Sequence, residues 1–139
     1  IVDEYQIYEA VKSGADAMLF IAKLLPKEKL SLFVELAKKL NIEPVVEING
    51  ELDLEKAKAT TADIIGVNAR DLHSFIVDVD RACRLIVKIP ERYIRLGFSG
   101  ISSRKEIEKY KQAGASGVLI GTSLMKAKKI ADYIEGVRI

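Results

Sequence analysis

The chain has 139 residues, of which 49% are hydrophobic and 30% charged, with 22 basic and 20 acidic side chains and a net charge of +2. That length suits one ordinary domain with its own core, and the interspersed signs leave no basic stripe for nucleic acid or an anionic membrane. A single cysteine, Cys83, and a single histidine, His73, exclude an internal disulfide and a Cys/His zinc cluster, and no apolar run is long enough to span a bilayer.

The chain opens at Ile1 with neither methionine nor a signal-like stretch, and reads as a piece of something longer. The opening residues to Val11 pattern as a helix closed by Gly14. A first strand is expected over 17–22. Next comes a helix from about Pro26, with Leu30, Phe33, Val34, Leu36, Ala37 and Leu40 on one face and Asn41 ending it. A second strand covers 44–48 and a short helix 52–59. A third strand covers 63–68, and a helix runs from Val79 to Val87, stopped before Pro90. Within it, the neighbours of Cys83 mark that residue as a helix core position. A fourth strand covers 93–98. Ser103 and Glu106 form a capping box for the next helix, which carries Ile107, Tyr110 and Ala113 and ends at Gly114. A fifth strand covers 117–121, and Ile130, Tyr133 and Ile134 mark a last helix. The lysine pairs at 38–39 and 128–129 pattern as solvated helix faces.

One helix followed by five strand–helix units means an α/β fold with a parallel sheet covered by helices. No linker or low-complexity stretch divides residues 1–139, so a single domain is expected. Neither the dinucleotide glycine fingerprint nor a Walker lysine motif is present. Polar residues collect instead at the strand ends: Lys23, Glu47, Asn49, Asn68, Arg70, Ser99, Thr122 and Ser123. Chemistry spread over many strand ends is the habit of a barrel, and a closed barrel needs about 250 residues. The chain therefore reads as the latter part of a (β/α)8 TIM barrel.

Strand alternation puts Val45 and Glu47 on one face and Val46 and Ile48 on the other. If the latter pack on helices, Glu47 faces the barrel mouth, where partial desolvation suits a carboxylate to acid/base work. A structural ion pair is the competing reading. Asn68 shares its face with Gly66 and either donates to a ligand or bonds its own backbone in a turn. Arg70 suits a carboxylate ligand; the competing readings are a surface pairing of Arg70 with Asp71, or Asp71 simply capping a turn. Ser99-Gly100 and Gly121-Thr122-Ser123 each precede a helix, and the pair suggests a phosphate grip, against mere turn chemistry. His73 reads as an exposed loop residue.

The segments IVDEYQI (1–7), GADAMLFIAKLL (14–25), EPVVEIN (43–49), DIIGVNARDL (63–72), SGIS (99–102) and GVLIGTSLM (117–125) come in family order across essentially the whole chain. With them the chain resembles the C-terminal part of indole-3-glycerol phosphate synthase, its five strands corresponding to barrel strands four to eight. The resemblance implies a decarboxylating lyase of tryptophan biosynthesis acting on a phosphorylated small molecule, with no metal or organic cofactor and a cytoplasmic location. It implies Glu47 as catalytic acid/base and Asn68 as a catalytic residue that holds or polarises substrate. Arg70 would lie near the anthranilate carboxylate, and Ser99, Gly100, Gly121 and Thr122 would bind phosphate. Phe98 stands where the family carries a glutamate; its ring either packs against the substrate or fills space. The family's catalytic lysines and a further early glutamate have no counterpart in this sequence, so the chain alone is expected to be inactive. The alternative is a non-catalytic phosphate-binding half-barrel, or a scaffold fragment that self-associates through its unpaired sheet edges.

Overall fold

The computed structural model describes residues 1–138. It is an α/β chain in which a first helix is followed by five strands alternating with helices, and the sheet order follows the chain order. No helix among the described residues is long and apolar enough to cross a membrane. The chain forms two compact units, one of residues Ile1–Gly66 and one from Val67 onward.

In the first unit, α1 (Glu4–Lys12) begins at a reciprocal cap: Asp3 accepts the Tyr5 N–H, and Gln6 accepts the N–H groups of Val2 and Asp3. Strand β1 (Ala17–Ile21) ends one residue earlier than expected, because Ala22–Leu24 wind into a 3-10 turn. Lys56 holds that turn by donating to the carbonyls of Ala22 and Leu25, both at 3.0 Å. Pro26 caps α2 (Lys27–Lys39) from just outside rather than opening it, so its missing N–H costs nothing. The apolar face of α2 buries Leu30, Phe33, Val34 and Ala37, and the Phe33 ring lies 6.2 Å from that of Phe20. Lys38 is not simply solvated: its ammonium reaches the Asp63 carboxylate at 2.6 Å and the Thr61 carbonyl. Strand β2 (Glu43–Ile48) runs parallel to β1 with Phe20 opposite Val46 and Ile21 opposite Glu47. Helix α3 (Glu51–Lys58) follows, and β3 (Ile64–Asn68) carries the chain across the boundary between the units.

In the second unit, α4 spans Val79–Val87, as its sequence pattern predicts, with Asp78 accepting the Arg81 N–H at its start. Cys83 is only half-buried there, at the edge of the apolar stripe rather than inside it, and burial pushes its thiol pKa up. Strands β4 (Ile94–Phe98) and β5 (Gly117–Leu119) are parallel, with Leu96 opposite Gly117 and Phe98 opposite Leu119. Between them, α5 (Arg104–Gln112) starts at the predicted Ser103/Glu106 capping box. Arg95 lies on the helix side of β4, with its guanidinium beside Gly114. The fifth strand is two residues shorter than expected because the chain turns at Gly121 into α6 (Thr122–Lys126). Helix α7 (Ile130–Val137) closes the described chain.

Candidate functional site

Glu47 belongs to the first unit, at the C-terminal end of β2. Its neighbours Val46 and Ile48 are buried on the face that α2 and α3 cover, so alternation sends Glu47 to the opposite face. It is nevertheless only 6% exposed. Beyond it, the Asn49 N–H donates to the buried Asp53 carboxylate at 3.0 Å, which pins the loop from β2 into α3. Glu47 is thus a buried carboxylate at a strand end, just before a pinned loop.

The other predicted positions lie in the second unit, or at its start. Asn68 ends β3, and its Oδ1 accepts the Arg70 N–H at 2.9 Å. The turn reading of Asn68 is thus what the oxygen does. Arg70 Nη1 donates to the Phe75 carbonyl at 3.1 Å across the loop that follows. Asp71 shapes that loop as a turn cap, its Oδ1 accepting the N–H groups of His73 and Ser74. His73 is exposed, as its sequence setting suggests.

Phe98, Ser99 and Gly100 sit beside that loop. The Ala69 N–H donates to the Phe98 carbonyl at 2.9 Å, which joins the ends of β3 and β4. Phe98 itself is 6% exposed. Ser99 and Gly100 are both left-handed, with φ of 68° and 73°. A serine there costs on the order of 1 kcal/mol, so the surroundings must hold it. Gly100 is required by space as well as by φ: a Cβ would lie 2.6 Å from Val79 Cγ2 and 2.8 Å from Val77 Cγ1. The turn is therefore wedged against the segment that leads into α4. On its other side, Ser123 Oγ donates to the Ile101 carbonyl at 2.6 Å and so ties the start of α6 to the same turn. Gly121 and Thr122, at that start, are exposed. Asn68, Arg70, Phe98, Ser99, Gly100, Gly121 and Thr122 thus lie on linked loops at the C-terminal ends of three strands.

Sequence reasoning left out three residues that shape these loops. Arg81 Nη2 donates to the carbonyls of Asn68 and Ala69, both at 3.1 Å. A cation in the first turn of a helix opposes the helix dipole, which was a signal that it serves a partner. The Tyr110 hydroxyl donates to the carbonyls of Phe98 and Ser99, at 3.2 and 3.1 Å. Burial raises the pKa of this hydroxyl, which keeps it a donor. Gly97 receives the Tyr110 ring, since a Cβ would fall 2.4 Å from Cδ1. A glycine inside a strand marks such a close approach. At the start of α5, burial tends to raise the Glu106 pKa. Hydrogen bonds from Ser103 and Ser102 outweigh it and hold the carboxyl below its ordinary value. Among the described residues no group of three His, Cys, Asp or Glu side chains is placed to hold a metal ion.

Comparison with known proteins gives the fold and the family. Solved structures of similar fold include thiamine phosphate pyrophosphorylase from Pyrococcus furiosus, with a TM-score of 0.73 and 17% identity over 95% of this chain and 62% of that one. They also include 3-hexulose-6-phosphate synthase from Salmonella typhimurium, with a TM-score of 0.73 and 15% identity over 96% of this chain and 64% of that one. At such identities the likeness shows the fold alone, a portion of a TIM-type barrel. Sequence relatives go further. The chain is 42% identical over 138 residues to indole-3-glycerol phosphate synthase of Campylobacter fetus subsp. fetus, covering 99% of this chain and 54% of the relative. It is 41% identical over 133 residues to a multifunctional tryptophan biosynthesis protein of Schizosaccharomyces pombe, covering 96% of this chain and 18% of the relative. The chain spans about half the length of the curated synthases it matches. The sequence profile of one family, indole-3-glycerol phosphate synthase, matches residues 1–137, and the chain belongs to that family.

Proposed function

We propose that the protein containing this chain closes the indole ring of 1-(2-carboxyphenylamino)-1-deoxyribulose 5-phosphate, releasing carbon dioxide and water. The observation that supports this best is the wedged, left-handed Ser99–Gly100 turn, tied to the Gly121–Thr122 turn through Ser123, in a member of this family. Backbone N–H groups at such turns, with the Ser99 and Thr122 hydroxyls, suit a phosphate. Arg70 supplies the planar fork for the substrate carboxylate, which the ring closure must hold until it leaves as carbon dioxide. Asn68 holds or polarises the substrate. Glu47 is the acid/base: its low exposure and its place at a strand end suit a proton transfer shielded from water. Phe98 cannot exchange a proton, and its burial favours the space-filling role over stacking on substrate.

This chain by itself carries the phosphate grip and one acid/base. The family's lysines are not among its residues, so turnover requires the longer protein. The test is to assay the full-length protein that contains this chain with the phosphorylated substrate, alongside Glu47→Gln. The variant is expected to lose at least about 100-fold in kcat. Absence of indole formation by the wild-type protein would refute the function, and an unchanged kcat in the variant would refute the role of Glu47.

A second reading, self-association of this chain, is favoured by the exposure of Ile94 and Leu119 on β4 and β5, at 48% and 61%. Burying such apolar surface stabilises association. Sedimentation of the isolated chain should show dimers or larger species, and a monomer throughout the micromolar range would exclude them.

A further inference from the structure

The Tyr110 side chain is fully buried, yet its hydroxyl serves neither its own helix nor solvent. A phenylalanine would fill the same space beside Gly97 without the cost of burying a hydroxyl. The hydroxyl reaches two consecutive carbonyls, those of Phe98 and Ser99, immediately before and within the left-handed pair Ser99–Gly100. The Phe98 carbonyl also receives the Ala69 N–H, so the one oxygen joins α5, the end of β4 and the residue after Asn68. Gly97 sets how near the ring can come, and with it where the hydroxyl ends.

We propose that Tyr110 is a positioning residue for the anion-holding turn: by occupying the carbonyls of Phe98 and Ser99 it fixes the left-handed backbone that presents the turn's N–H groups to phosphate. Holding these two carbonyls fixes the planar peptide units to which they belong, and with them the N–H groups of Ser99 and Gly100. The unusual φ of Ser99 is then maintained before ligand arrives, so the ordering cost is not paid on binding. This rests on the phosphate reading of Ser99 and Gly100 given above.

The test is Tyr110→Phe in the full-length protein that contains this chain, with inorganic phosphate as the probe. The variant keeps the ring beside Gly97 and removes only the two hydrogen bonds. The phosphate dissociation constant and the KM for the phosphorylated substrate are expected to rise about tenfold, with kcat within about twofold. Affinity for anthranilate, which carries no phosphate, should stay the same. Phosphate affinity within twofold of wild type overturns the proposal. So does an equal loss of phosphate and anthranilate affinity, which would mark a general packing role. If the wild-type protein binds no phosphate, this inference falls together with the phosphate reading; if the wild type binds and the variant binds equally, only the inference falls. A measurement on the wild type alone covers a variant that fails to fold. The Tyr110 hydroxyl proton of the wild type should exchange slowly without phosphate as well as with it, and rapid exchange in the absence of phosphate overturns the proposal.

Discussion

The first unit and the C-terminal stretch of the second carry similar apolar patterns but bury them very differently. Phe20, Leu30, Phe33, Val34, Ala37, Val46 and Ile48 of the first unit are no more than 1% exposed. After Tyr110 no described residue is buried, and Ile130 and Ile134 of α7 remain 55% and 47% exposed. Helical spacing of apolar residues says which face a helix would bury, and only an opposing surface decides whether it does. The stretch after Tyr110 therefore adds least to the buried core. The exposed Gly121 and Thr122 come from the weakly buried stretch, where a ligand can order the backbone.

The sharpest way to break this comparison is to empty the buried cluster. Phe20→Ala removes a ring packed against Phe33 and should cost about 3–5 kcal/mol, measured by urea unfolding of the chain. A cost of less than about 1 kcal/mol would mean that this cluster is not a tightly packed core. Gly100→Ala is next. It adds a Cβ against Val77 and Val79 at a φ of 73°, and should cost about 1–3 kcal/mol while weakening phosphate binding in the full-length protein. Ser103→Ala should cost about 1 kcal/mol by removing the cap of α5. The same cap has a pH signature. The folded-state pKa of Glu106 lies below its ordinary value of 4.5, so its contribution is fully present above that value and is lost as pH falls through the folded pKa. The acid limb of a thermal-unfolding profile should become shallower in Glu106→Gln. Ile134→Ser, on the exposed face of α7, should stay within about 0.5 kcal/mol. If it matched Phe20→Ala, the contrast between the two regions would be wrong.

Much of this was legible along the chain. Local rules govern element identity, so α4 falls on Val79–Val87 and the Ser103/Glu106 box opens α5 as the spacing predicts. The Ser99–Gly100 turn was legible as well, since a glycine after a strand and before a capped helix has few other uses. Asn68 was legible only as a choice between ligand and turn, because both need the same side chain and the preference depends on where the Arg70 N–H lies. Tyr110 and Arg81 were not legible as supports of those loops, because their partners are carbonyls, 11–13 residues distant, that every residue type supplies.

The sequence by itself determined the alternation of strands and helices, the family and the residues that gather at strand ends. Each follows from neighbours a few positions apart or from motifs read in order. Only the tertiary structure decided which apolar faces find a partner, which lysine of the 38–39 pair binds a carboxylate, and that a buried tyrosine rather than a local bond holds the Ser99 turn. Those outcomes depend on surfaces brought together from distant parts of the chain, and no local pattern encodes that distance.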